Sequence, residues 1–247
     1  MKIAIISDIH ANKEAFEIAL KEIEKQNTDK IFCLGDVAMA GYAPNETMEL
    51  IFDLIEKYGD NFKIIQGNTD NMIANYTEEL FELAKNKFPC MGYALNDDLK
   101  IIDKKYIEFL KNLPKEKYLE INGVKIHLVH GSPRKQDENI YPNLSSKEIE
   151  EMAINSQAEL IFCGHTHIPC GYSLDNGKTV VNVGSIGRSM TQDKMPYWAM
   201  LEIDENGKFQ IEHKTIKYDN KKISKLVAQR NFPHADELAQ MYLAEKK

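Results

Sequence analysis

The sequence predicts an α/β fold, on three observations. Six short apolar runs rich in Ile, Val and Phe recur along its 247 residues. Amphipathic helical patterns separate the first three runs. The residues just after the runs are, again and again, Gly beside Asp, Asn or His. Near-continuous hydrophobicity over about four to six residues marks a strand covered on both faces. Strand–helix–strand alternation marks a largely parallel sheet.

Taken in order, Lys2–Ile6 reads as the first strand. Ala15, Phe16, Ala19, Leu20 and Ile23 form one apolar helical stripe ahead of a second strand at Ile31–Leu34. Asn45 is placed to cap a second helix, whose stripe is Leu50, Ile51, Leu54 and Ile55. Phe62–Ile65 is the third strand. Residues Asn71–Glu120 interrupt the alternation with a mostly helical insertion, in which Ile107, Leu110 and Leu113 precede Pro114. Strands resume at Val124–Val129, Leu160–Cys163 and Thr179–Val183. Between the first two of these, Ser145-Ser146-Lys147-Glu148 offers a capping box ahead of Ile149 and Met152. Trp198–Ile203 and Phe209–Ile216 pair as a hairpin across Asp204-Glu205-Asn206-Gly207. From Asp219 to residue 247 the pattern is helical, broken at Asn231-Phe232-Pro233. With no internal repeat or linker, residues 1–247 are expected to form one domain.

Composition narrows the function. A chain of this length buries roughly three quarters of its unfolded surface and needs no disulfide to fold. Cys33 and Cys163 lie inside apolar runs and read as small core hydrophobes; no C-x-x-C spacing occurs. No stretch approaches the ~18 consecutive apolar residues of a membrane span, and Met1–Ile6 runs into Ser7-Asp8 without a cleavage site. A cytoplasmic protein is expected. The net charge of −7 argues against an extended nucleic-acid partner. It leaves open a small phosphorylated substrate, which responds to the local field of a site.

The residues at the strand ends point to the chemistry. They are Ser7-Asp8-Ile9-His10, Gly35-Asp36, Gly67-Asn68-Thr69-Asp70, His130-Gly131, Gly164-His165-Thr166-His167 and Gly184-Ser185. Open α/β sheets bind ligands outside the carboxyl ends of their strands. A lone Gly-Asp is a turn, and a lone His is a hydrogen-bonded structural residue. The joint pattern differs, because four of the 7 histidines fall at strand ends. His127, His213 and His234 are left as structural or surface residues. Hydrolysing a phosphate ester needs a nucleophile at neutral pH and compensation for charge on the entering and leaving oxygens. A pair of metal ions supplies both. Donor sets of Asp, Asn and His without thiolate suit Mn, Fe, Zn or Ni better than Ca. Two divalent ions with two carboxylates leave a charge of about +2, or about +1 after a bridging hydroxide, which attracts phosphate.

As a set, Asp8-x-His10, Gly35-Asp36, Gly67-Asn68, His130-Gly131 and Gly164-His165-x-His167 resemble, in order, the motifs of the calcineurin-like metallophosphoesterase superfamily. Gly41-Tyr42-Ala43-Pro44-Asn45-Glu46, His130-Gly131-Ser132-Pro133, Asn182-Val183-Gly184-Ser185-Ile186-Gly187 and Tyr218-Asp219 further resemble a bacterial and archaeal phosphodiesterase branch. The resemblance implies an αββα sandwich of two mixed β-sheets flanked by helices. It implies that Asp8, His10 and His167 hold one divalent ion and Asn68, His130 and His165 a second, with Asp36 bridging. It further implies attack of a metal-bridging hydroxide on a small phosphate ester, a phosphodiester ahead of a phosphomonoester or phosphoanhydride. A retromer subunit of the same fold works through protein interaction, so a metal-binding scaffold is the rival reading.

One position departs from the pattern. Many members carry His after the Asn, and here Thr69 stands there, followed by Asp70. Threonine is no general acid near neutral pH, and Asp70 would need a strongly raised pKa to act as one; it is otherwise an orienting partner. Ser185, Arg188 and Arg134 are the candidate phosphate contacts. Tyr42 and Tyr141 are placed to stack on a base or to pack. The 71–120 insertion is a lid, a packing element or the surface of a homo-oligomer.

Overall fold

The computed structural model describes residues 1–244, in which two mixed five-stranded sheets share an apolar interface and carry helices on their outer faces. The chain runs β1 (Lys2–Ile6), α1 (Lys13–Lys25), β2 (Lys30–Cys33), α2 (Pro44–Tyr58), β3 (Phe62–Ile64), α3 (Asn68–Ala74), α4 (Glu78–Lys87), α5 (Pro89–Ile101) and α6 (Lys104–Lys111). It continues with β4 (Lys117–Ile121), β5 (Val124–Leu128), α7 (Ser146–Met152), β6 (Leu160–Cys163), β7 (Cys170–Ser173), β8 (Thr179–Asn182), β9 (Tyr197–Ile203), β10 (Phe209–Thr215), α8 (Asn220–Ala228) and α9 (Ala235–Gln240). The strand orders are β10-β9-β1-β2-β3 and β4-β5-β6-β8-β7.

Alternation along each strand explains why both faces are apolar. Ile3 and Ile5 of β1 join Phe32 and Leu34 on one side of the sandwich interface, against Ile126, Leu128, Leu160, Phe162 and Val181 of the other sheet. Ala4 and Ile6 point the opposite way, into Phe16, Ile23, Met48 and Ile51 of the covering helices. Ile161, Cys163 and Val180 do the same on the second sheet, beneath Ile149 of α7. Cys33 and Cys163 are core residues, and burial pushes both thiols up.

The two mixed sheets are those the family resemblance implies, and the largely parallel pairing expected from strand–helix alternation holds only in part. Parallel pairing is confined to β1-β2-β3 and to β5-β6-β8; an antiparallel strand borders the first triple on its β1 side and the second triple on both sides. Two strands escaped the sequence reading. β4 alternates half-buried and exposed residues and falls inside the segment read as insertion. β7 is short and carries Gly171. Asn45 is not the cap of α2: Ala43 is, with Pro44 in the first turn, and Asn45 instead ties α2 to α5 and the start of α6 through Ile101 O and Asp103 N. The Ser145 capping box forms as expected.

The insertion packs as core. Cys90, Ala94, Leu95, Tyr106 and Leu110 are buried in the same cluster as α1 and α2, and Leu238 and Tyr242 of the C-terminal segment close over it. Residues 245–247 of the expected helical tail lie outside the described residues.

Candidate metal centre

The turns after β1, β2, β5 and β6 and the first residue of α3 bring the candidate ligands to one end of the sandwich. Backbone hydrogen bonds lace these turns together: Asp8 N to Gly35 O, His10 N to Asp36 O, and Gly164 N to His130 O, at 3.0, 2.9 and 2.8 Å. Asp8, His10, Asp36, His165 and His167 all have positive φ, between 47° and 69°. Non-glycine residues in this region cost on the order of 1 kcal/mol or more each, and such outliers gather at ligand sites.

Each carboxylate gives one oxygen to a backbone N–H and keeps the other free. Asp8 Oδ2 accepts from His165 N at 2.9 Å, and Asp36 Oδ1 accepts from Thr69 N at 2.8 Å. Asp8 Oδ1 is left buried without a hydrogen-bond partner, 3.2 Å from His167 Nε2. Asp36 Oδ2 lies 3.7 Å from His10 Nε2 and 3.4 Å from His130 Nε2, so it reaches both sides of the cluster.

The imidazoles are oriented by backbone carbonyls. His10 Nδ1 donates to Met39 O (2.9 Å), His130 Nδ1 to Leu34 O (2.8 Å) and His167 Nδ1 to Arg188 O (2.6 Å). A carbonyl only accepts, so Nδ1 carries the hydrogen in each case and a neutral ring presents a bare lone pair at Nε2. Those lone pairs converge. His10 Nε2 and His167 Nε2 are 3.0 Å apart, and Asn68 Oδ1 lies 2.9 Å from His130 Nε2 and 2.8 Å from His165 Nδ1.

A cluster of carboxylate oxygens, an amide oxygen and imidazole nitrogens is a donor set that fits cations. Asp8, His10 and His167 form one group whose donor atoms lie within 4.8 Å of one another, and Asp8, Asp36 and His130 form another. Electrostatics agree. Burial alone would lower the His130 pKa, but Asp36 and Asp8 push it up to about 10. Burial, followed by the Arg188 charge, lowers His10 to about 3. Burial works against ionisation of Asp8 and Asp36, yet the neighbouring imidazoles hold both below the usual carboxylate range. Such a site attracts positive charge, as a proton or as a metal.

The remaining sequence candidates divide. Asp70 is fully buried, and its carboxylate accepts from the backbone N–H of Asp36, Val37 and Gly67 at 2.7, 2.9 and 2.9 Å. Burial and the Asp36 charge raise it to about 6, but both of its oxygens accept from backbone N–H groups, so it braces the turn that carries Asp36. The Ser185 hydroxyl is occupied by Asp8 O and Arg188 N. Arg134 is exposed and forked onto Glu138. Arg188 is only 4% exposed, its Nε has no partner, and Nη1 meets only the Met91 sulfur, at 3.5 Å. The Thr69 hydroxyl is also buried and unpartnered. Tyr42 packs, its hydroxyl accepting from Glu14 N. Tyr141 is partly exposed, and its carbonyl accepts from Tyr172. His127, His213 and His234 take partners outside the cluster: Ser156 and Glu116, Asn182 O, and Glu237.

Sequence reasoning missed the supporting contacts. Carbonyls of Met39, Leu34 and Arg188 carry no signal in a sequence, since every residue has one. Asn182 was visible only as part of a motif; its Nδ2 donates to Gly164 O at 2.7 Å and Thr166 Oγ1 at 2.9 Å, bracing the turn that bears His165 and His167.

Comparison with known proteins gives the family and the fold. A model of the calcineurin-like phosphoesterase superfamily domain matches residues 1–206. An uncharacterised protein of Methanocaldococcus jannaschii is 30% identical, over 94% of this chain and 93% of its own. A hypothetical protein from Pyrococcus horikoshii superposes with a TM-score of 0.87 at 21% identity, covering 100% of this chain and 99% of that one. A metallophosphoesterase from Sphaerobacter thermophilus superposes with a TM-score of 0.75 at 22% identity, covering 98% of each chain.

Proposed function

Because the chain belongs to the calcineurin-like phosphoesterase superfamily, and with that membership is a metal-dependent phosphoric ester hydrolase, we propose that it hydrolyses a small phosphodiester with two divalent ions bound. Residues 1–247 act as one catalytic domain in this reading. Asp8, His10 and His167 would hold one ion and Asn68, His130 and His165 the other, with Asp36 shared. The donor set of nitrogen and oxygen atoms suits Mn, Fe, Zn or Ni. When bound, such ions supply an activated water at neutral pH and positive charge for the phosphoryl oxygens.

One observation carries the reading: the free oxygens of Asp8 and Asp36 converge with imidazole Nε2 atoms whose opposite nitrogens are fixed by carbonyls. The chain's own residues do the rest. Asp36 and His130, at the middle of the cluster, are the residues on which turnover depends most. Asp70 holds the Asp36 turn through three N–H bonds. Thr69 is no general acid near neutral pH and the Asp70 carboxylate is engaged by three backbone N–H groups, so esters with good leaving groups are favoured. The buried guanidinium of Arg188 has no carboxylate partner among the described residues, and its charge reaches His10. That extra positive charge favours a second reading: a dianionic phosphomonoester or phosphoanhydride of the same site.

The test is hydrolysis of bis-p-nitrophenyl phosphate and p-nitrophenyl phosphate by metal-stripped protein with Mn²⁺ restored, against Asp36→Asn. Metal-dependent turnover should fall in the variant by more than the roughly 10–100-fold that loss of a supporting partner costs. The preferred ester separates the two readings. Two ions bound per chain without turnover of either ester would favour a metal-binding scaffold.

A further inference from the structure

We propose that Arg230 and Asp98 form a clamp that positions His10, and through it sets the metal affinity of one half of the centre. The proposal rests on the two-ion reading above for its effect on metal, though not for the clamp itself. Arg230 lies in the turn after α8, beyond residue 206, where the family match ends. Asp98 lies on α5 of the insertion and is fully buried. Neither belongs to a ligand motif.

The contacts run in an unbroken chain. Arg230 Nη1 donates to Gly41 O at 2.7 Å and to Asp98 Oδ1 at 2.8 Å. Its Nε and Nη2 fork onto Asp97 Oδ2, at 3.1 and 2.6 Å. The other oxygen of Asp98 accepts from Ala40 N at 2.8 Å. The N–H of residue 40 and the carbonyl of residue 41 are therefore both fixed from outside the loop. The carbonyl just before them, Met39 O, receives the His10 Nδ1 hydrogen. Gly41 itself lies so close to His10 O that a Cβ there would overlap it. Tyr242 adds a longer contact, its hydroxyl to Ala40 O at 3.4 Å.

Two features argue for positioning over simple packing. Ala40 has φ +66°, a conformation an alanine holds only when its surroundings impose it. And a buried ion pair is a poor way to gain stability, since desolvating both charges offsets most of their attraction. What it does well is fix a register of hydrogen bonds. Here the register fixes a carbonyl that sets the His10 tautomer and aims Nε2 at the cluster. The effect is local to one side: His130 depends on Leu34 O, and Asn68 and His165 have no contact with residues 39–41 among the described hydrogen bonds.

The experiment uses the full chain as Arg230→Met, Arg230→Lys and Asp98→Asn, each with two readouts. The first is ¹H–¹⁵N NMR of imidazole N–H groups in metal-free protein. The His10 Nδ1–H should exchange with water at least about tenfold faster in Arg230→Met, while the His130 Nδ1–H stays as protected as in the parent. The second is Co²⁺ titration followed by visible absorption. One of two binding steps should weaken by about 10–100-fold and the other should hold, because loss of a supporting partner acts on its own ligand. Arg230→Lys, which keeps the charge and loses the fork, should fall between. Should Arg230→Met fail to fold, Asp98→Asn decides: an amide has one acceptor oxygen and cannot accept from both Ala40 N and Arg230 Nη1, so the His10 Nδ1–H should again exchange faster while the His130 Nδ1–H stays protected. Unchanged His10 exchange in a folded variant overturns the clamp, as does equal loss of protection at His10 and His130. A parent protein that binds fewer than two Co²⁺ ions would count against the two-ion reading alone, because the exchange readout needs no metal.

Discussion

The Nε2 atoms of His10 and His167 face each other at 3.0 Å, while the opposite nitrogen of each ring donates to a backbone carbonyl. With the Nδ1 hydrogen of each ring held by a carbonyl, the two Nε2 atoms are left facing each other, an arrangement that a cation between or beside them relieves. Divalent metal should therefore stabilise the folded chain by linkage. At free metal about 100 times the dissociation constant the gain is about 2.7 kcal/mol, or roughly 5–10 °C in the unfolding midpoint for a chain of this size. Differential scanning calorimetry with Mn²⁺ and with a chelator checks it. Equal midpoints would show that the fold holds no such ion.

Gly164 lies where any side chain would meet Ser7 Oγ and Asp8 Oδ2. Gly164→Ala should displace the Asp8 carboxylate and disturb its bond from His165 N. A loss of about 1–3 kcal/mol is expected from overpacking, together with reduced metal content. Urea denaturation and metal analysis of the same sample read both effects. A stable variant with full metal content would mean that the turn has slack the close approach does not suggest.

Thr69 stands where many relatives carry His, and its buried hydroxyl has no partner. Thr69→Val removes an unpaired polar group of similar shape, so stability should be unchanged or higher. Any fall in turnover would then mark contact between the hydroxyl and substrate. Thr69→His should raise turnover on esters with poor leaving groups more than on p-nitrophenyl esters. A uniform change across leaving groups would count against a missing acid.

His127 is buried beside Ser156, Glu116 and the Tyr118 ring. Burial lowers its pKa below 6.5, with Glu116 pulling the other way. The unfolded chain therefore binds this proton more tightly than the folded one. The contribution to stability is present above about pH 6.5 and is lost as pH falls below it. Metal-free parent should lose stability relative to His127→Gln between about pH 7.5 and pH 5.5, measured as urea midpoints. A parallel pH dependence in the two proteins would place the His127 proton elsewhere.

Much of this was legible in the sequence, because its signals are local. A strand covered on both faces must be apolar at successive positions, so β1, β2, β6 and β8 announce themselves. The residues after them are fixed by chemistry: only Asp, Asn and His supply the donors, and only Gly fits beside Asp36 and Asp8. Edge strands such as β4 and β7 lack the signal because one face meets water. The tertiary structure alone decided which donors meet. It left Arg134 with Glu138, occupied the Ser185 hydroxyl, isolated Arg188, and turned Asp70 into a brace. It also brought Arg230 to the loop beside His10, across 189 residues from Gly41. Side-chain identity sets what a residue can donate or accept; which partner takes that bond depends on packing between segments remote in the chain, and no local pattern records it.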